Sequence, residues 1–274
     1  MRPEDYPIQD ELSDFARPYA KEVERRSFGI SGEDQLFGDD PYQSVGIHKA
    51  ADPNGTVFAF IHGGGWTNGY KEWNNFMAPT YTAQGVTFVS IGYRMAPRYI
   101  FPEGLTDCEM AISWIYQNIA NYGGNPDRIF LGGHSAGGHY ASLLAIKKDW
   151  QVGLGLPGDV ISGCIPVSGV YRFDEKSGLS QRPRFLGAVD SGNDIAASPI
   201  LFVKDVVCPF LIAHGDNDFP HLIKQAKEME TCLKESGSEV QRISLVDCDH
   251  LAAHYATGEP KGDWVNKILK FLTI

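Results

Sequence analysis

Short apolar runs and longer stretches with a three-to-four-residue apolar rhythm alternate along this chain. Residues 57–61, 86–91, 128–132, 161–167, 209–213 and 240–246 are compact and mostly apolar, the signature of strands buried on both faces. Residues 44–49 read as a further strand, joined to 57–61 by the turn Asp52-Pro53-Asn54-Gly55. Between these runs lie helical patterns over 70–84, 102–120, 138–148, 221–236 and 261–272. The second shows its stripe most plainly, through Leu105, Cys108, Ala111, Ile112 and Ile115. Such alternation predicts one doubly wound, mostly parallel α/β sheet with helices on both faces. Two stretches stand outside it. Residues 1–43 form a polar arm in which Leu12, Phe15, Tyr19 and Val23 predict an amphipathic helix over 11–26, followed by a loop over 29–41. This arm either packs on the domain or flaps over a site. Residues 172–205 have no clear period and predict a small lid or loop insertion within a single domain spanning 1–274.

The run at 128–132 leads into Gly133-His134-Ser135-Ala136-Gly137, and a helical segment follows. A serine on a tight strand-to-helix turn between two glycines is a nucleophile elbow. Side chains at 133 or 137 would collide across such a turn. The run at 57–61 leads likewise into His62-Gly63-Gly64-Gly65-Trp66, where glycines let backbone N–H groups approach a ligand. Elbow and glycine loop together, in this order, are far more specific than either alone.

A serine hydroxyl needs a base, and the base needs a partner that fixes its tautomer. Past the strand at 209–213 lies His214-Gly215-Asp216-Asn217-Asp218, and past the last strand lies Asp247-Cys248-Asp249-His250. Both fall at the carboxyl edge of the sheet, where sites of open α/β folds gather. We take Asp218 as the acid over Asp216, which suits a bond within the turn, and His250 as the base over His254. Asp249 adjoins His250 and is poorly placed to face it. Ala136, Gly64 and Gly65 are the expected oxyanion donors. Trp66 and Tyr70 are candidates for the substrate pocket, although packing suits each equally; His134 is a further candidate there, and packing or rim polarity suits it better than a catalytic role. His139, His62, His214, His221 and His48 are expected to brace loops, edge the site or sit in a strand.

Composition narrows the choice of partner. A net charge of −10 and a pI near 5.2 argue against nucleic acid. No apolar run approaches the roughly 18 residues that span a bilayer. Residues 1–28 lack a signal-peptide core, so the cytosol is the expected compartment. Five scattered cysteines, without a C-x-x-C pair, indicate neither a disulfide framework nor a zinc site. Residues 265–274 carry an apolar face that would suit a homodimer.

With these residues in hand, the sequence resembles the arylformamidase (kynurenine formamidase) group of α/β-hydrolases, close to the hormone-sensitive-lipase-like carboxylesterases. The stretches that carry the resemblance are His62 to Trp66, Thr82 to Val86, Gly133 to His139, Ser168 to Tyr171, Cys208-Pro209, Gly215 to Asp218 and Asp249-His250. It implies an α/β-hydrolase fold with Ser135 as nucleophile, Asp218 as acid, His250 as base, and Gly64, Gly65 and Ala136 as oxyanion donors. No cofactor or metal is called for. The implied substrates are small esters or aryl amides, including N-formylkynurenine-like formamides. The family often has an aromatic residue where this chain has Gly65, a departure toward the esterase pattern. A non-catalytic, hydrolase-like binding protein is the rival class, but such proteins usually lack a triad residue, and here all three are present.

Overall fold

The computed structural model describes residues 1–173, 183–204, 206 and 208–274. Eight strands, β1 (Glu33–Leu36), β2 (Ser44–His48), β3 (Gly55–Ile61), β4 (Thr87–Ile91), β5 (Gly124–His134), β6 (Gly163–Val167), β7 (Phe210–Gly215) and β8 (Val240–Leu245), form one sheet in the order β1-β2-β4-β3-β5-β6-β7-β8. The six from β4 to β8 in that order are parallel, whereas β1 and β2 are antiparallel additions at one edge. Thus β2 and β3 are consecutive but do not pair, because β4 inserts between them.

The inner strands β3 to β7 are mostly apolar and buried because each faces two cores, whereas the edge strands β1 and β8 are partly exposed. Along β3, Val57, Ala59 and Ile61 enter one core, while Phe58 and Phe60 enter the other. Along β7, Phe210 and Ile212 part in the same way from Leu211 and Ala213. Nine helices among the described residues complete the layers: α1 (Ala16–Ser27), α2 (Ala78–Thr82), α3 (Glu103–Asn118), α4 (Ala136–Ile146), α5 (Asp149–Gly153), α6 (Asn193–Ala196), α7 (Pro220–Glu235), α8 (His250–Ala256) and α9 (Asp263–Phe271). The first core is covered by α3, α4 and α7, and the second by α1, α2, α8 and α9.

Several elements differ from the expectations. Strand β1 lies within the stretch read as loop; it has a single neighbour and carries the polar sequence Glu33-Asp34-Gln35-Leu36, so no alternation marks it. The segment read as one helix over 70–84 is a 3-10 stretch, Lys71–Met77, followed by the short α2. There Asn74 donates to the Phe60 carbonyl and Ser90 hydroxyl, and Asn75 to the Ile30 carbonyl. These bonds compete with a regular helix, and Pro79 restarts the winding. The apolar residues of 265–274 divide between the interior and the surface, with Ile274 exposed. Val265, Ile268 and Leu272 are buried, the last two in the second core. The stretch 172–205 holds α6 and short 3-10 turns, and the part of the expected lid at 174–182 and 205 lies outside the described residues. No helix among the described residues is long and apolar enough to cross a membrane.

Candidate active site

Four strands deliver the site at one rim of the sheet. The chain leaves β3 into the glycine loop, β5 into Ser135, β7 into Asp218 and β8 into His250. Ser135 occupies φ 54, ψ −115, a region that non-glycine residues rarely adopt. The turn is tight enough that a Cβ on Gly137 would lie 2.1 Å from the Ile61 carbonyl oxygen. The Ser135 N–H is held by the Val167 carbonyl at 2.9 Å, and α4 starts at the next residue.

Positions 135, 218 and 250 come together as one relay. Ser135 Oγ lies 2.9 Å from His250 Nε2, and His250 Nδ1 donates to Asp218 Oδ1 at 2.8 Å. The Phe219 N–H donates to the same Oδ1 at 2.7 Å. Burial alone would raise the Asp218 pKa. The hydrogen bond and charge of His250, the nearby Ser168 hydroxyl and the Phe219 N–H outweigh it and hold the carboxyl at about 2. The competing groups lie elsewhere. Asp216 is exposed and accepts from the Asn217 side chain. Asp249 caps α8 by accepting from the N–H groups of Leu251 and Ala252.

Gly64 adopts φ 123, and a Cβ there would sit 1.9 Å from the Asn68 carbonyl oxygen, so only glycine fits. Among the described residues, the N–H groups of Gly64 and Gly65 have no backbone partner. The glycine loop is braced on both sides. His62 donates from Nδ1 to the Gly63 carbonyl at 2.7 Å and stacks on Tyr93. Trp66 donates to His139 Nδ1 at 3.1 Å, and His139 passes its own Nε2–H to the Ala197 carbonyl at 2.6 Å. Burial pushes the His139 pKa down to about 3, which keeps this bridge neutral. From the N-terminal arm, the Gln9 amide both donates to the Gly69 carbonyl, at 2.8 Å, and accepts its N–H, at 2.9 Å. Asn68 donates to the Asp10 carbonyl at 2.7 Å, and Arg184 pairs with the Asp10 carboxylate.

A cavity of about 340 Å³ opens over Ser135. Its apolar wall comes from Leu12, Phe15, Tyr19, Trp73, Phe219 and Leu251, with Gly64, Gly65, His134 and His250 at the reacting end. The amphipathic stripe of the arm therefore faces this cavity as well as the sheet. Trp66 and Tyr70 do not line it, contrary to one of the two roles open to them in the sequence. Trp66 stacks on Phe185 with centroids 4.3 Å apart, and Tyr70 packs among Tyr6, Tyr42 and Trp73. Both spend their rings on packing. His134 does reach the cavity, yet its Nε2–H is committed to the His250 carbonyl at 2.8 Å. His214 is buried in β7 rather than in a loop, where it accepts from Arg242. Phe219 and Leu251 went unnoticed, although each directly follows a relay residue. Trp73 gave no such signal. Among the described residues, no group of three or more His, Cys, Asp or Glu side chains could hold a metal ion.

A family model described as BD-FAE matches residues 46–233, more than half of the chain. The chain belongs to the BD-FAE family. The match takes in the glycine loop, Ser135 and Asp218, and stops before His250. This BD-FAE chain is 30% identical over 234 residues to Esterase LipC of Mycobacterium tuberculosis, covering 78% of itself and 58% of that protein. It is 25% identical over 232 residues to the isoprenylcysteine alpha-carbonyl methylesterase ICME of Arabidopsis thaliana, covering 76% and 53%. The chain thus spans about half the length of the curated relatives it matches. Among solved structures, Esterase B from Lactobacillus rhamnosis superposes with a TM-score of 0.77 at 19% identity, over 93% of this chain and 91% of that one. A hyperthermophilic esterase from Pyrobaculum calidifontis gives 0.76 at 19% identity, over 94% and 90%. The fold is that of an α/β-hydrolase, as the resemblance implied.

Proposed function

We propose that this protein is a serine carboxylesterase that hydrolyses small carboxylic esters by acyl transfer. The observation that carries the reading is the unbroken relay Ser135–His250–Asp218, at 2.9 and 2.8 Å, opening into an apolar cavity beside unpaired loop N–H groups. Ser135 Oγ attacks the ester carbonyl carbon while its proton passes to His250 Nε2. The oxyanion accepts from the N–H groups of Gly64, Gly65 and Ala136. Asp218, ionised at all working pH values, steadies the imidazolium. The carbon–oxygen bond to the alcohol then breaks, and His250 returns the proton to the leaving oxygen. Water repeats the sequence on the acyl enzyme, releasing the acid and restoring the Ser135 hydroxyl. The relatives' names as esterases support the same chemistry.

The rings of Phe15, Tyr19, Trp73 and Phe219 suit an aryl group, which favours aryl amides and formamides as a second substrate class. Gly65 weighs toward esters with acyl groups larger than formyl. It is exposed, and a Cβ added there would meet only Thr67 Oγ1, at 4.0 Å. The space an aromatic residue would take is therefore open. Ser135→Ala is expected to lower kcat by up to about 10⁶-fold and to abolish labelling by a fluorophosphonate. Wild-type-like ester turnover in that variant overturns the proposal. Comparing kcat/KM on an aryl acetate and an aryl formamide ranks the two substrate classes.

A further inference from the structure

The residue before the nucleophile has its own link to the base. His134 is 1% exposed, and its Nε2–H donates to the backbone carbonyl of His250 at 2.8 Å. Its ring centroid lies 4.9 Å from that of His250, and it stacks nearly parallel on His254, 4.8 Å away at 9°. His254 is fully buried and hydrogen-bonds through Nδ1 to the Tyr19 hydroxyl at 2.8 Å. Four residues from three separate parts of the chain, Tyr19, His254, His134 and His250, therefore form one connected column, three of whose members line the cavity.

The geometry fixes the tautomer of His134. Nε2 faces a carbonyl, which can only accept, so Nε2 carries the proton. Nδ1 has no partner among the described residues and keeps its lone pair. The ring is held neutral because burial and the neighbouring His250 push its pKa down to about 3. Neutrality has a mechanistic consequence, since a cation here would oppose the imidazolium that forms on His250 during turnover.

We infer that His134 is the positioning residue for the catalytic base: its Nε2–H holds the backbone of His250, which sets the imidazole on Ser135. This rests on the acyl-transfer reading above. It also explains why a bulky, fully buried imidazole directly precedes the nucleophile. Ser135 and His250 lie on different strand ends, and the His134 bond ties those ends together independently of the Ser135–His250 contact it supports. The stack on His254, held in turn by Tyr19 of α1, fixes the plane of the His134 ring and hence the direction of its N–H.

The test compares two amides of similar polarity. In His134→Gln the side-chain nitrogen reaches the Nε2 position and still donates to the His250 carbonyl. In His134→Asn it falls one bond short. The expected result is a drop in kcat of about threefold for H134Q and about 10- to 100-fold for H134N, with KM within about twofold in both. Inactivation by a fluorophosphonate, which also needs the base, should slow in the same ratio. Melting temperatures are measured alongside, and the comparison is made at a temperature where both variants are folded. Equal kcat values for H134Q and H134N overturn the inference, as does a defect confined to KM. If the amides fail to fold, Tyr19→Phe keeps the cavity ring, perturbs the column from its far end and should lower kcat and slow fluorophosphonate inactivation in the same ratio; an unchanged kcat overturns the inference. A wild-type protein that neither turns over esters nor reacts with the phosphonate would instead sink the underlying reading, so the two failures are distinct.

Discussion

Replacing Asp218 by asparagine removes one negative charge and leaves the side-chain shape intact. The local contacts determine what that costs. Oδ1 already receives both the Phe219 N–H and the His250 Nδ1–H, whereas Oδ2 is buried without a hydrogen-bond partner of ordinary length among the described residues. The nearby Ser168 hydroxyl favours the charged form of that carboxylate. Asparagine can therefore keep its oxygen at the Oδ1 position and turn its amide toward Ser168 Oγ, so His250 retains the correct tautomer. What is lost is the attraction between carboxylate and imidazolium. For charges about 4 Å apart at an effective dielectric near 20, this is about 4 kcal/mol. At 1.36 kcal/mol per tenfold in rate, D218N should lose about 10³-fold in kcat. Where the same exchange also forces the wrong tautomer, the loss is nearer 10⁴-fold. Steady-state hydrolysis of an aryl acetate at pH 8 measures it, with a melting curve to confirm folding. A folded D218N within tenfold of wild type would refute the electrostatic reasoning, and a loss of about 10⁴-fold or more would refute the retained tautomer.

Other outcomes follow from the same contacts. Gly64→Ala should lower kcat by about 10²- to 10³-fold and also lower the melting temperature, because the new Cβ would strike the Asn68 carbonyl and φ is positive; activity and melting curves check both. The Asp218 carboxyl, held at about 2 in the fold, against an ordinary value near 3.9, contributes about 2–3 kcal/mol of stability. That contribution is fully present above about pH 4 and is lost as pH falls toward about 2. Urea unfolding of wild type and D218N should therefore converge over that window, and a constant gap would contradict the assignment.

The inner parallel strands were legible because each is buried on both faces and so reads as a mostly apolar run, while β8, at the edge, showed itself only through Val240, Ile243 and Leu245. The relay residues were legible because each follows such a run, in the order this fold imposes. What escaped the sequence has local physical causes. β1 is polar and pairs on one side only. The 3-10 stretch at Lys71–Met77 is set by asparagine bonds to distant carbonyls, which no periodicity reveals. α8 is short, and its one signal, the capping carboxylate of Asp249, sits among residues already read for chemistry. Trp66 and Tyr70 were legible as large rings near the site, but the direction of a ring is settled by its tertiary neighbours. Phe185 captures one and the Tyr6–Tyr42 pair the other.

The two-point match between the Gln9 amide and Gly69 sews a segment outside the sheet onto the loop of the proposed oxyanion donors. A few residues farther on, the same segment furnishes Leu12, Phe15 and Tyr19 to the cavity wall. Tailoring this protein to a new acyl group by altering those positions would thus pull on the rate apparatus through the seam at Gln9. Selectivity and turnover share a thread here and should drift together as the arm diverges.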